Sequence, residues 1–247
     1  MQTKLRLKFR ALKNRIQPLY WYIVREAITL IARKPRNKKI FKWSDVALTR
    51  TQVVEALIRQ NNFKSYLEIG CQNDINFSAI SIPHKIGVDP SLGGTHRMTS
   101  DVFFAQNNAK FDLIFIDGMH TFEQVYKDFF NAYNVLNIGG VILFHDMLPA
   151  SWEQEMVPRI NRGWNGTVWK IAYELKHLLG SQFAIIVADQ GLGIVFKDSE
   201  KPKLVPSEED YVRAKNTTYD DFLKDYTSFN LVSASDLGLL LSQRGFK

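Results

Sequence analysis

The sequence predicts an α/β fold with a doubly wound, mostly parallel sheet that ends in an antiparallel strand. From about residue 44, short apolar segments alternate with helical patterns, and this alternation is typical of parallel strands joined by crossover helices. Two later apolar segments, residues 183–187 and 192–196, are separated by Ala188-Asp189-Gln190-Gly191, which indicates a hairpin. We therefore expect a parallel sheet that closes with an antiparallel pair.

Charge separates a basic leader from a mildly acidic body. The chain has 247 residues, of which 45% are hydrophobic and 23% charged, and a net charge of +7; this composition is typical of globular proteins. Residues 1–42 hold 13 basic side chains and one acid, whereas the rest holds 19 basic and 24 acidic side chains. The single Cys71 excludes an intramolecular disulfide. We predict an N-terminal extension with a linker (1–42), a central α/β domain (43–200) and a partly helical C-terminal extension (201–247).

The leader has the pattern of a basic amphipathic helix. Four apolar residues recur at helical spacing among its lysines and arginines: Leu5, Phe9, Leu12 and Ile16. Its longest uncharged segment, residues 16–24, is shorter than the about 20 residues that a membrane span needs. Such a helix either lies on an anionic membrane surface or packs on its own domain or on a second copy of the chain. Both interpretations stay open at this point.

The first part of the central domain alternates helix and strand. Ser44 is a candidate N-cap for a helix that ends near Asn62. Five short segments indicate strands, and each ends at, or directly before, a polar residue or glycine: residues 66–70, 85–89, 98–100, 111–117 and 141–144. Thr121 and Gln124 have the spacing of a capping box, and the helix that follows is expected to stop at Gly139-Gly140.

The later part of the chain has helical patterns around the predicted hairpin. Residues 168–179 precede the hairpin, and residues 219–226 and 236–241 follow it. We expect these last two segments to cover a site or an interface.

Polar residues or glycine stand where the predicted parallel strands end. They are Glu68, Gly70, Asp89, Ser100, Asp101, Asp117, His145 and Asp146. In open parallel sheets, ligands bind beyond the carboxyl ends of the strands, near the point where strand order reverses. The sequence therefore predicts a nucleotide-type site at this edge.

Two features narrow the kind of nucleotide. Asp89, at the end of the second strand, can accept hydrogen bonds from both hydroxyls of a ribose; the alternative is that it caps a turn. Gly70 is not followed by the further glycines of a dinucleotide-binding loop, and Asp74 would repel phosphate. A nicotinamide dehydrogenase is therefore disfavoured, whereas a cofactor with adenosine but no phosphate is not.

Five segments resemble the class I S-adenosylmethionine-dependent methyltransferases, and more closely their small-molecule and sugar O-methyltransferase branch. They are residues 66–70, 87–90, 99–104, 111–120 and 139–146, and the resemblance extends over about residues 64–198. It implies a Rossmann-like fold and S-adenosylmethionine as cofactor. By this resemblance, Glu68 and Gly70 border the methionine part, Asp89 the ribose, and Ser100 and Asp101 the adenine. Asp117 is also expected at the cofactor.

The tips of the strands that end at residues 117 and 144 carry the candidate chemistry. Asp117, His145 and Asp146 form a candidate site for a divalent cation such as Mg²⁺, as acidic residues at these strand tips do in metal-dependent relatives. The alternative is that Asp146 caps the turn, His145 packs and catalysis needs no metal. His120 is a candidate general base at the offset that related sugar O-methyltransferases use, and His145 is the competing base.

These observations predict an O-methyltransferase that acts on a hydroxyl of a saccharide or glycoconjugate in the cytoplasm, with peripheral membrane contact through residues 1–42 left open. The alternative is a catalytically weak cofactor-fold module that serves as a membrane-tethered or subunit-binding partner; a homo-oligomer also stays open. Nucleic acid is not an expected partner. The body carries excess acid, and residues 116–119 (Ile-Asp-Gly-Met) differ from the Asn-Pro-Pro-aromatic motif of base amino-methyltransferases.

Overall fold

The computed structural model describes residues 19–20, 22–24, 26–28, 30, 41–199 and 204–245. The predicted helical pattern of residues 5–16 lies outside the described residues. The described residues between 19 and 30 are helical, and Val24 and Ile28 are partly buried against the core. In this described part of the chain, no helix is both long and apolar enough to cross a bilayer.

The sheet has seven strands in the order β2-β1-β3-β4-β6-β5-β7. They are β1 (Ser65–Ile69), β2 (His84–Val88), β3 (Phe111–Ile116), β4 (Leu136–Phe144), β5 (Phe183–Val187), β6 (Leu192–Phe196) and β7 (Leu231–Ser233). Strands β1 to β4 pair in parallel, β6 is antiparallel to both β4 and β5, and β7 is parallel to β5. The predicted mostly parallel sheet with its antiparallel hairpin is confirmed.

Helices cover both faces of the sheet. They are α1 (Arg50–Asn61), α2 (Ile75–Ala79), α3 (Ser100–Gln106), α4 (Phe122–Val135), α5 (Trp152–Glu155), α6 (Ile171–Leu179), α7 (Glu208–Asn216), α8 (Tyr219–Asp225) and α9 (Leu237–Gln243). Strand side chains alternate between two cores, as the two-residue period requires. On β3, Ile114 and Ile116 lie in one core, whereas Leu113 and Phe115 lie in the other.

The helix after residue 44 begins later than the sequence predicted. Thr49, not Ser44, is the N-cap of α1. The backbone N–H of Thr49 donates to Oε1 of Gln52 (2.9 Å), and the N–H of Gln52 donates to Oγ1 of Thr49 (3.3 Å). This reciprocal capping box satisfies two helix-terminal donors, so the helix starts at Arg50.

The predicted strand at residues 98–100 is wrong. The chain makes one parallel bridge, between Val88 and His96, and α3 then begins at Ser100. The hydroxyl of Thr99 accepts a hydrogen bond from the N–H of Val102 at 3.3 Å. Threonine is favoured at helix N-caps, and this preference explains why a helix begins here in place of the predicted strand.

The ends of α4 also differ from the prediction. The Thr121 side chain makes no capping hydrogen bond; instead, the N–H of Phe122 donates to Oγ1 of Thr167 at 2.8 Å. A tertiary contact thus replaces the predicted capping box. At the other end, α4 stops at Val135, and Gly139-Gly140 lie inside β4. There, the N–H of Gly139 donates to the carbonyl of Lys197 (2.8 Å), so pairing with the chain after β6 takes the glycines into the sheet region.

The C-terminal segment contributes to the same sheet and cores. Strand β7 extends the sheet beyond β5. Phe222 and Phe229 are buried in the core that contains α4, and Leu237 and Leu241 of α9 are buried in the other core. The described part of residues 201–247 is therefore packed on the α/β domain; the domain boundaries themselves stay predictions.

Candidate active site

The carboxyl ends of β1 to β4 open into one cavity of about 930 Å³. Strand β1 lies between β2 and β3, so the chain direction across the sheet reverses here, and ligands of open α/β sheets bind at such a point. The predicted residues that line the cavity are Glu68, Gly70, Asp89, Ser100, Asp117, His120, His145 and Asp146. Asp101 is not among the lining residues.

The turn after β1 brings two strand ends into close contact. Gly70 has φ +93°, and a Cβ at this position would lie 2.2 Å from the carbonyl oxygen of Asp117. No other residue fits this approach, because it combines a left-handed conformation with backbone contact. Gln72 (φ 48°) and Asp74 (φ 63°) take left-handed conformations without being glycines. Asp74 accepts a hydrogen bond from the N–H of Gly94 at 2.6 Å, which stabilises the loop.

Asp89 organises two loops at the end of β2. Its carboxylate accepts hydrogen bonds from the N–H groups of Gln72 (2.9 Å), Ser91 (2.7 Å) and Leu92 (2.8 Å). Burial alone would raise the pKa of Asp89, but these three donors lower it below its usual value. The charged carboxylate thus holds a turn, which is the alternative interpretation of Asp89, and it also lines the cavity; its contact with a ribose stays a prediction.

Glu68 lies deep under the same turn. It is 1% exposed, and its Oε2 accepts hydrogen bonds from the Tyr66 hydroxyl (2.5 Å) and the Asn76 side chain (2.9 Å). Burial raises the pKa of Glu68 to about 7, although both hydrogen bonds oppose this rise. Neither Tyr66 nor Asn76 could be assigned to the site from the sequence.

The two predicted adenine-side residues differ in position. Ser100 is buried, lines the cavity and accepts a hydrogen bond from Nε2 of Gln124 at 3.2 Å. Asp101 is exposed on α3, where Oδ1 accepts from the same Gln124 nitrogen (2.9 Å) and Oδ2 lies 3.7 Å from Nζ of Lys127. Its role as an adenine contact stays a prediction.

His120 lies at the centre of an acidic cluster. Its Nδ1 is 3.0 Å from Oδ2 of Asp146 and 2.9 Å from the carbonyl oxygen of Trp164, and its Nε2 is 3.5 Å from Oδ1 of Asp117. Two acceptors at Nδ1 place a proton on that nitrogen, which leaves Nε2 as the basic nitrogen of the neutral ring. The Trp164 ring stacks on the imidazole with centroids 5.0 Å apart.

The environment strongly favours the protonated form of His120. Burial alone would lower the pKa of His120, but hydrogen bonds to Asp117 and Asp146, together with their charges, raise it to about 10. The charge of His145, followed by the hydrogen bond to His120, lowers the pKa of Asp117 and of Asp146 below the usual range, against the effect of burial.

His145 contacts the same two aspartates as His120 and is only 3% exposed. Its Nδ1 is 3.2 Å from Oδ1 of Asp117 and 3.1 Å from Oδ2 of Asp146, and its Nε2 is 3.4 Å from Oδ1 of Asp189. Burial lowers the pKa of His145, but the charges of Asp117 and Asp146 raise it well above 6.5. The side chain of His120 is 24% exposed and that of His145 only 3%, so accessibility favours His120 over His145 as the base that reaches an acceptor.

Three further residues at the site could not be assigned from the sequence. Arg50 and Asp189 both line the cavity and are joined by an ion pair at 2.9 Å. Asn165 is fully buried, and its Nδ2 donates to Oδ1 of Asp146 at 3.0 Å. Asp146 itself has φ 64°, so this side-chain contact fixes a carboxylate on an unusual backbone.

Asp117, His120 and Asp146 can also hold a metal ion. Each offers one ligand atom, and the three atoms lie within 4.8 Å of one another. The sequence predicted Asp117, His145 and Asp146; the structure adds His120 to the two aspartates. One imidazole nitrogen and carboxylate oxygens suit a divalent cation such as Mn²⁺ or, less well, Mg²⁺.

Comparison with known proteins supports the motif resemblance. A family model described as a methyltransferase domain matches residues 49–147, which include β1 to β4 and the acidic cluster. An uncharacterized protein of Acanthamoeba polyphaga mimivirus is 37% identical over 51 residues, which are 21% of this chain and 23% of that protein. The match thus spans about a quarter of that relative.

Solved structures similar to this chain include two O-methyltransferases. One, from Bacillus cereus in complex with SAH, has 16% identity and a TM-score of 0.44 over 72% of this chain and 90% of that chain. The other, from Streptomyces achromogenes and involved in tomaymycin synthesis, is in complex with SAM; it has 14% identity and a TM-score of 0.46 over 63% of this chain and 83% of that chain. The match of residues 49–147 to a methyltransferase domain, together with the strand-end residues of β1 to β4, supports a class I S-adenosylmethionine-dependent methyltransferase.

Proposed function

We propose that this chain transfers the methyl group of S-adenosylmethionine to a hydroxyl oxygen of a small-molecule acceptor, and that the acceptor is a saccharide or glycoconjugate. The observation that carries the proposal is the position of His120. Its side chain is 24% exposed and lines the cavity, and carboxylates of Asp117 and Asp146 lie at its two ring nitrogens.

The lining of the cavity fits the cofactor. Gly70 lines the cavity in the turn after β1, and Asp89 and Glu68 offer carboxylate oxygens at neighbouring strand ends. We assign the methionine end to Glu68 and Gly70, the ribose to Asp89 and the adenine side to Ser100. The bound cofactor supplies an electrophilic methyl group on a positively charged sulfur.

His120 would accept the proton that the acceptor hydroxyl loses. The acceptor oxygen forms its new bond to the methyl carbon as the carbon–sulfur bond breaks, and its proton passes to Nε2 of His120. The imidazolium formed in this way is stabilised by Asp117 and Asp146 at 3.5 and 3.0 Å. Holding the two reactants in line supplies a large part of the rate.

The acidic cluster can serve a metal or a base, but one His120 nitrogen cannot do both. If a cation binds Asp117, His120 and Asp146, it would polarise the acceptor oxygen directly and take a lone pair of His120. If no cation binds, His120 keeps that lone pair for the proton. Chelator and pH measurements separate these two uses.

Trp164 supports a saccharide acceptor. Trp152 and Trp169 are buried in the core, whereas Trp164 lines the cavity next to His120. The guanidinium carbon of Arg159 lies 5.9 Å from the Trp164 ring centroid. Aromatic and polar groups side by side suit the apolar face and the hydroxyls of a sugar ring.

The test is a methylation assay with radiolabelled cofactor and a panel of acceptors. The panel contains free sugars, nucleotide sugars and glycolipids. At least one of these acceptors should become labelled, and mild acid should not cleave the new methyl ether. Phenols with two adjacent hydroxyls serve as the comparison class. Label only on phenols would overturn the saccharide assignment and keep the O-methyl transfer.

The alternative function is a catalytically weak module that binds a membrane or a subunit through the basic leader. Its support is the excess of basic side chains in residues 1–42 and the exposure of Tyr20, Tyr22 and Ile23. Removing residues 1–42 should abolish flotation with anionic liposomes at low salt and preserve cofactor affinity. An intact chain that does not float under these conditions excludes the membrane role.

A further inference from the structure

Arg50 inserts a permanent positive charge into the acidic cluster. Its Nη1 lies 2.6 Å from Oδ2 of Asp117, whereas Oδ1 of that carboxylate faces His120 and His145. Each oxygen of Asp117 therefore has a cationic or protonatable neighbour. A guanidinium cannot lose its proton under ordinary conditions, so this charge is always present.

Asp189 holds Arg50 in this position. Oδ2 of Asp189 accepts from Nε of Arg50 (2.9 Å) and from its backbone N–H (2.8 Å), and Oδ1 accepts from Nη2 (3.2 Å). Arg50 is the first residue of α1, where backbone N–H groups lack intrahelical acceptors. The fork of the guanidinium and the helix terminus thus bind one carboxylate together.

The pair of Arg50 and Asp117 is partly shielded from water. The side chains are 27% and 16% exposed, respectively. Charges in such a place interact more strongly than on an open surface, because the effective dielectric constant is lower. Two effects would therefore oppose a divalent cation at Asp117. The carboxylate already has a cationic partner, and that partner would repel the metal ion.

We propose that Arg50 is the resident cation of the acidic cluster: its guanidinium holds Asp117 and opposes the binding of a divalent metal ion to Asp117, His120 and Asp146. Arg50 is in this account a positioning residue that acts through Asp117. As a consequence, His120 is favoured to act as a base and disfavoured as a metal ligand. The inference concerns metal affinity and does not depend on methyl transfer.

The experiment is a Mn²⁺ titration of the cofactor-free protein, with free Mn²⁺ measured by electron paramagnetic resonance. Arg50→Gln should bind Mn²⁺ about tenfold more tightly than the wild type or better, because one positive charge leaves the cluster. Arg50→Lys keeps the charge and should stay within about threefold of the wild type. Arg59→Gln removes an exposed charge in the last turn of the same helix and should change nothing.

Two checks locate the effect. Circular dichroism should show folded variants, because Arg50 is partly exposed at a helix start whose Thr49 cap is unchanged. The double variant Arg50→Gln with Asp146→Asn should lose the gained affinity. Equal Mn²⁺ affinity in the wild type and Arg50→Gln, including no binding in either, overturns the proposal. So does a gain that persists without the Asp146 carboxylate, because the metal then binds elsewhere.

Discussion

Nδ1 of His120 lies 3.0 Å from Oδ2 of Asp146, with the carbonyl oxygen of Trp164 at 2.9 Å from the same nitrogen. This arrangement fixes the ring and its tautomer from one side. The opposite nitrogen, Nε2, lies on the side of Asp117, at 3.5 Å from Oδ1. The pair of His120 and Asp146 therefore joins the segments that follow β3 and β4 at the cavity.

Loss of the His120 imidazole should remove the base without removing the cofactor site. In His120→Ala, turnover should fall by about 10²–10⁴-fold, which is the usual contribution of a positioned general base, while affinity for S-adenosylhomocysteine stays unchanged. The matched control is His177→Ala, because His177 is exposed on α6. Near-normal turnover in His120→Ala, together with its loss in His145→Ala, would assign the base to His145 instead.

The pH profile should report the raised pKa of His120. The neutral ring is the active form, so in chelator-treated protein kcat/KM should rise from pH 7 and level off near the pKa of about 10. In His120→Gln the rate should be lower and should keep rising above pH 10, because the acceptor hydroxyl then ionises without help. A wild-type profile that is flat between pH 7 and 10 contradicts this role.

Asp89 should contribute to cofactor affinity through its charge. Asp89→Asn keeps the shape but weakens the charge-assisted hydrogen bonds, and binding of S-adenosylhomocysteine should weaken by about 1.5–3 kcal/mol. Isothermal titration calorimetry measures this change, and Glu209→Gln on the exposed surface of α7 is the control. Unchanged affinity in Asp89→Asn would leave Asp89 with only its loop-holding hydrogen bonds.

Glu174 should destabilise the fold at alkaline pH. It is 1% exposed, and among the described residues neither carboxylate oxygen has a hydrogen-bond partner. Burial, with the nearby charge of Asp210, raises the pKa of Glu174 from 4.5 to about 7. The stability that goes with its neutral form is complete below pH 4.5 and is lost as the pH rises through about 7.

Glu174→Gln should therefore raise the Tm by a few degrees at pH 8 and have no stabilising effect at pH 4. Differential scanning calorimetry at both pH values checks the sign, with Glu208→Gln on exposed α7 as the control. A stabilisation that is equal at both pH values would show that the charge of Glu174 is not its cause.

The strand ends of the site could be predicted because they depend on local pattern. Apolar segments that end in a polar residue place Glu68, Asp89, Asp117 and Asp146 at one edge as soon as the strands are parallel. Their hydrogen bonds could not be predicted in the same way, since Asp89 accepts from two separate loops.

Arg50 and Asp189 could not be assigned to the site from the sequence. They are 139 residues apart; the local pattern places Arg50 only within a helix and Asp189 only in a hairpin turn. Thr99 shows that a single local contact also matters. Its side chain caps α3, so the segment predicted as a short strand begins a helix instead. Tertiary contacts and single caps therefore explain where sequence and structure differ.

We propose that the cavity at the ends of β1 to β4 binds S-adenosylmethionine. The most direct test is calorimetric titration of the intact chain with S-adenosylhomocysteine and, in parallel, with NAD. We expect one S-adenosylhomocysteine per chain and no heat of binding with NAD, because the loop after Gly70 offers no glycine-rich cradle for a pyrophosphate. Binding of NAD without binding of S-adenosylhomocysteine would contradict the assignment of this site.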